Sequence, residues 1–175
     1  NVTGREGWLN EAAQAYLGAG EPLAAAEIFT EQLINAQAIA DRSRYLQQAF
    51  SALLSADQGE SAAELVHRNL LLMTAGDGQL FRAAVQAGVG SRRYDLASDT
   101  VSRWRTLQPD DPAVLSAEFR LRLAAGELEQ AWSVGQRLAV IVPTDPELLA
   151  QLAQLGEWTG HTTAALDFWL QLIQV

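Results

Sequence analysis

Apolar residues recur along the chain at intervals of three and four rather than two, the spacing of helices that each bury one face. Near the C-terminal end, Leu149, Leu152, Ala153 and Gly156 form one stripe and Ala165, Phe168, Trp169 and Leu172 form another. Two stripes separated by a short polar break predict a pair of packed helices. The same reading applied throughout predicts first helices over roughly 6–19, 43–56, 78–89, 112–125 and 146–159. Second helices follow over roughly 22–36, 61–73, 95–108, 128–142 and from 163 to the chain end. No alternating run reads as a strand.

Turn residues punctuate these helices. Gly20, Asp57, Gly126 and Gly160 stand where a first helix must end, at positions suited to a left-handed residue. Pro112 and Pro146 suit the first helical turn, where a missing N–H leaves no bond unmade, and Asp111 and Asp145 are good caps before them. Gly88-Val89-Gly90-Ser91 reads as an end-of-helix turn, since it lacks the spacing and the lysine of a phosphate loop.

The pattern is periodic. Pro112-Ala113-Val114-Leu115 recurs as Pro146-Glu147-Leu148-Leu149 at a spacing of 34, and Gly126, Ala131, Leu138 and Pro109 return as Gly160, Ala165, Leu172 and Pro143. Ala97 and Trp104 extend the frame backwards, and Ala62-Ala63-Glu64-Leu65-Val66 echoes Ala25-Ala26-Glu27-Ile28-Phe29 at a spacing of 37. The extra residues are expected near Ala36 to Ser43, lengthening a loop. Ala13, Ala25, Ala131, Ala153 and Ala165 are predicted where helices touch, with Tyr16, Phe29, Phe119, Trp132 and Trp169 filling the spaces beside them.

A helix-turn-helix unit of about 34 residues, with small residues at the close contacts and proline after the second helix, resembles the tetratricopeptide repeat (TPR) family. The resemblance implies an all-α fold, a right-handed α-solenoid of about five units over residues 6–39, 43–76, 78–111, 112–145 and 146–175, together one solenoid segment. Gly88 and Arg122 depart from the family pattern where a large aromatic is usual, and the second unit carries few signature residues. The chain is expected to be part of a longer array. Its Ala-, Leu- and Arg-rich, lysine-free style also resembles the periplasmic TPR region of bacterial Pel-type exopolysaccharide secretion proteins.

Composition narrows the chemistry. Twelve basic residues, all arginine, against 21 acidic ones give a net charge of −9, which disfavours a general nucleic-acid-coating surface. Without lysine or cysteine there is no Schiff base, phosphate-loop lysine, thiolate nucleophile, disulfide or Cys-ligated metal. His67 and His161 lie in different units and lack metal-binding spacing, Asp110, Asp111 and Asp145 read as caps, and no nucleophile elbow is present. The expectation is no enzyme, no cofactor and no metal.

In the TPR family the first helix of each pair usually lines the concave surface. That placement implies a partner-binding face of Asn10, Gln14, Gln47, Gln48, Ser51, Arg82, Gln86, Arg120, Gln151 and Gln154, with Trp158 on or near it as an aromatic able to stack on a sugar or anchor a peptide. The competing reading is an ordinary solvated surface. The basic interval of Arg92, Arg93, Arg103, Arg105, Arg120 and Arg122 is explained either by local salt bridges or by a docking patch. The Pel-type resemblance implies a protein-protein interaction scaffold in the periplasm, part of an outer-membrane-anchored protein, that recruits an exopolysaccharide-modifying or export component. Direct guidance of a polysaccharide along the polar groove is the alternative function, and the cytoplasm the alternative location.

Overall fold

The computed structural model describes residues 2–174, with side chains from Gly7 to Gln174. Ten α-helices follow one another: α1 (Val2–Gly18), α2 (Pro22–Asn35), α3 (Ile39–Ser55), α4 (Gly59–Arg68), α5 (Gly78–Gly90), α6 (Tyr94–Leu107), α7 (Pro112–Ala124), α8 (Leu128–Ile141), α9 (Pro146–Trp158) and α10 (Thr162–Gln174). Single 3-10 turns at Leu70–Leu72 and Ala75–Asp77 join α4 to α5. There is no strand among the described residues, and no helix among them is long and apolar enough to cross a membrane.

Turn chemistry explains the hairpins. Gly20, Gly126 and Gly160 have φ of 78°, 75° and 81°, and Asp57 has φ of 57°, so each anticipated residue leaves its helix in the left-handed region. The chain then closes on itself: Gly126 N–H donates to Leu123 O and Glu127 N–H to Arg122 O, which satisfies two carbonyls that the helix end would leave open. α5 ends the same way, but its left-handed residue is Arg92, with φ of 59°. Gly88 and Gly90 belong to the helix, so the turn follows the predicted Gly88–Ser91 segment. Arginine adopts this conformation at a cost that glycine avoids. Arg92→Gly is expected to raise stability by a few tenths to about 1 kcal/mol, read as a higher urea midpoint at unchanged slope.

At the other helix ends, Asp111 Oδ1 accepts from Ala113 N–H at 2.7 Å, and Asp145 Oδ1 accepts from Glu147 N–H at 3.0 Å and Leu148 N–H at 3.2 Å. Pro112 and Pro146 occupy the first turns just inside these caps. Three boundaries differ from the sequence expectation, the first being α1, which begins at Val2 rather than near residue 6. Residues 39–42 extend α3 rather than a loop, since nothing in Ile39-Ala40-Asp41-Arg42 breaks a helix. α4 stops at Arg68, where Asn69 bonds its side-chain amide back to Leu65 O and the backbone tightens into a 3-10 turn.

The chain forms two compact units, Asn1–Arg103 and Trp104–Val175, with the division inside α6. In the first, α1 packs on α2, α2 on α3, α3 on α4 and α4 on α5. Ala13, Ala25, Ala62 and Phe29 are fully buried there. In the second, α7 packs on α8, α8 on α9 and α9 on α10, around Leu115, Phe119, Trp132, Leu138, Leu148 and Leu152. The α7–α8 and α9–α10 pairs start and turn at equivalent positions, Pro112 with Pro146 and Leu128 with Thr162. Ala131, Ala153 and Ala165 are buried at their contacts.

Bulk is distributed differently from the expectation at two places. Tyr16 is 40% exposed and Trp169 only half-buried, its indole N–H donating to Glu157 Oε1 at 2.9 Å. Trp132 does fill a space, the one beside Gly156: a Cβ on Gly156 would lie 3.0 Å from the Trp132 ring and 3.0 Å from Ala165 Cβ. An indole from α8 thus occupies the room beside Gly156 of α9.

Candidate interaction surface

α3 and α5 present their polar faces across a cleft of about 450 Å³. Gln47 and Ser51, one turn apart on α3, line one wall; Gln79, Leu80 and Ala83 of α5 line the other, with Gly76 and Asp77 at one end. Phe50 and Leu80 are buried beneath and give the cleft an apolar component. Asp77 is held from two sides. Its Oδ2 accepts from Thr74 N–H at 2.7 Å and from the Thr74 hydroxyl at 2.9 Å, while its Oδ1 accepts from Gln47 Nε2 at 3.2 Å. The Gln47 amide is therefore oriented by a carboxylate that is itself fixed by the capping box at Thr74.

Of the residues inferred from repeat register, the structure brings Gln47 and Ser51 into this cleft. Arg82 and Gln86 are exposed on α5, and their spacing of three and seven from Gln79 continues its face. Gln14 is exposed and Asn10 half-buried on α1, while Gln48 is half-buried with its Oε1 enclosed and unpartnered. In the second unit Arg120 and Gln154 are exposed, Gln151 is half-buried and donates to Glu147 Oε1 at 3.3 Å, and Trp158 is 70% exposed at the end of α9. Asp77 and Gln79 lie outside the set that repeat register selects. The Thr74-x-x-Asp77 capping pattern before a helix and the seven-residue step from Gln79 to Gln86 are the sequence signals that point to them.

The basic interval divides. Arg93 bridges Glu60 at 2.7 Å, Glu64 at 3.1 Å and Asp95 at 3.0 Å, tying α4 to the turn before α6. Arg103 donates to Met73 O at 3.2 Å. Arg105 and Arg122 converge on the buried carboxylate of Glu118, at 3.0 and 3.7 Å, and Arg122 also pairs with Glu127. Local salt bridging accounts for Arg93, Arg105 and Arg122, and a bond to a backbone carbonyl for Arg103. Arg82, Arg92 and Arg120 have no ion pair or side-chain hydrogen bond among the described residues and remain available to a partner carboxylate.

Hydrogen bonding from Arg93 holds the Asp95 carboxyl below its ordinary value, and the Arg93 guanidinium is pushed up by Asp95, Glu60 and Glu64. A depressed aspartate contributes stability that is present above its unfolded pKa and lost as the pH falls through the lower folded value. The arginine shift lies beyond any working pH. Acid titration of the melting temperature is expected to show a smaller fall below the ordinary aspartate range in Asp95→Asn than in the unmodified chain.

The two histidines lie near carboxylates in separate places: His67 Nδ1 is 3.6 Å from Asp99 Oδ2, and His161 Nε2 is 3.2 Å from Glu129 Oε2. The His161 ring also stacks on Trp132 with centroids 4.9 Å apart. Among the described residues no three His, Cys, Asp or Glu side chains converge as a metal site.

No family model matches the chain. No curated protein matches it either. Solved structures do resemble it. A crystal structure of MamA protein superposes with a TM-score of 0.70 at 13% identity, covering 97% of this chain and 90% of that one. MamA residues 41 to the end from Desulfovibrio magneticus RS-1 give 0.66 at 14%, covering 97% and 93%. A Podosopora anserina kinesin light chain with nearly identical TPR-like repeats gives 0.62 at 15%, covering 97% and 94%. At these identities the likeness is one of fold: the chain has an all-α, TPR-like fold.

Proposed function

We propose that the chain is a non-enzymatic protein-protein interaction scaffold whose docking site in the first unit is the α3–α5 cleft. The observation that carries this reading is the oriented Gln47 amide beside Ser51 and Gln79 above the side chains of Phe50 and Leu80. Such a wall offers amide and hydroxyl groups to the backbone of an extended segment and apolar contact to its side chains. Arg82, exposed on the adjoining α5 face, adds a cation for an acidic residue of the same partner. The Pel-type sequence style supports a periplasmic setting in an outer-membrane-anchored protein, with an exopolysaccharide-modifying or export component as the partner.

The test is capture of a partner from the cell envelope by the immobilised chain, repeated with two variants. Ser51→Arg places a long side chain in the cleft and is expected to abolish capture; Gln130→Arg, on an exposed position of α8, is expected to leave it intact. Equal capture by both variants would remove the cleft from the interaction.

A second reading rests on Trp158, an indole exposed one turn beyond Gln154. Exposed aromatic faces next to amides suit a sugar ring, so a polysaccharide would be guided along α9. Oligosaccharide-dependent shifts of the Trp158 indole resonance, with no protein partner captured, would favour this reading over the first.

A further inference from the structure

The α3–α5 cleft holds one charge that its place in the repeat does not explain. Displaced by 34 residues, Asp77 becomes Asp111 and then Asp145, each standing just before the first helix of a pair. The later two cap the helices they precede: Asp111 accepts from Ala113 N–H, and Asp145 from Glu147 N–H and Leu148 N–H. Asp77 makes no side-chain bond to α5. Its carboxylate turns back to Thr74 and across to Gln47, and so lines the cleft.

Those bonds come from an amide N–H, a hydroxyl and a side-chain amide, all neutral, and they leave the negative charge uncompensated. Among the described residues that line the cleft, Asp77 is the one with a charged side chain. It is half-buried, and Phe50 and Leu80 of the same cleft are buried. A carboxylate fixed beside apolar side chains, with acceptor capacity left after three bonds, gains more from an approaching cation than one freely hydrated.

The lining runs from Gly76 to Ala83, so a segment seated in the cleft follows α5. Arg82, the exposed cation of that helix, stands five residues beyond Asp77. At the helical rise this is about 7.5 Å along the axis. An extended segment sends every second side chain to one side, at steps of about 6.6 Å. The two spacings match.

We infer that the segment taken by this cleft carries a lysine or arginine for Asp77 and, two residues away on the same side, an aspartate or glutamate for Arg82. The inference rests on the cleft being the docking site and makes Asp77 the residue that selects the partner.

Selection of a phage-displayed library of random linear heptapeptides on the immobilised chain tests it. The selected sequences are expected to be enriched in a basic and an acidic residue two positions apart. In a synthetic copy of one of them, exchanging the basic residue for glutamine is expected to weaken binding to the unmodified chain about tenfold. Asp77→Asn keeps an acceptor for Thr74 and is expected to retain the helical circular dichroism; against this variant the same exchange is expected to change binding little. Arg82→Gln is expected to do likewise for exchange of the acidic residue. A selection that enriches no such pair overturns the inference, as does a basic residue whose exchange leaves binding to the unmodified chain unaltered. Peptides lost on Ser51→Arg yet held equally by Asp77→Asn overturn the charge selection and leave the cleft as the docking site. Peptides indifferent to Ser51→Arg overturn both.

Discussion

Gly135→Ala is expected to destabilise the second unit by about 1–3 kcal/mol, although alanine is the better helix former by about 1 kcal/mol. The added methyl would sit 2.5 Å from Leu152 Cδ2 and 2.8 Å from Phe119 Cε2. Both neighbours are buried, so neither side chain has free space to swing into. The position is the place where α8 meets α7 and α9 at once. Leu152→Ala, which removes the clashing branch, is expected to cost about 2–5 kcal/mol alone through the cavity it leaves. In the double variant the new methyl of residue 135 occupies part of that cavity, and the loss is expected to fall well short of the sum of the two single losses. Urea unfolding followed by tryptophan fluorescence reads all three values, and strict additivity would show that Gly135 and Leu152 do not share the space assigned to them.

That crowding shows what a sequence carries and what it leaves out. The stripes at 149–156 and 165–172, the capping aspartates and the left-handed residues at 20, 57, 126 and 160 were all legible, because each is imposed by backbone geometry that few residue types satisfy. Arg92 was not legible. Its conformation is set by the chain reversal between α5 and α6, where Gly88 lets the helices approach so closely that a Cβ would lie 3.1 Å from Ala97 Cβ, and arginine itself carries no turn signal. The lengthened α3 was missed because an insertion of helix-forming residues reads equally as loop or helix until its packing is known.

The surface was less legible than the core. Gln47, Gln48 and Ser51 look alike as polar residues on a first helix, yet the half-buried Gln48 encloses its carbonyl oxygen, whereas Gln47 and Ser51 open on the cleft. The difference comes from helix rotation, which changes by about 100° per residue and is fixed only by the neighbours a helix packs against. Asp77 depends on more distant information: its role follows from a glutamine 30 positions earlier in the chain. The arginine pairs behave in the same way, since Arg105 finds Glu118 only once α6 and α7 are folded back on each other.

Glu118 provides the other large effect, and its sign depends on which partner is removed. The carboxylate lies in α7 with 4% of its side chain exposed, receiving Arg105 Nη1 at 3.0 and 3.3 Å and facing Arg122 at 3.7 Å. Arg105→Ala takes away the two close charge-assisted bonds and leaves a buried charge near a guanidinium that Glu127 also engages. The expected loss is about 1.5–3 kcal/mol. Glu118→Leu removes the buried charge itself, fills similar volume with apolar atoms, and releases Arg105, already half exposed, to water. That variant is expected to be within about 1 kcal/mol of the unmodified chain, in either direction. In Glu118→Leu, adding Arg105→Ala is expected to cost almost nothing further, because the carboxylate that made Arg105 valuable is gone. Chemical denaturation of the four chains in this cycle gives the coupling directly. An Arg105→Ala loss that persists undiminished in the Glu118→Leu background would locate the contribution of Arg105 in the packing of its methylene stem rather than in the ion pair.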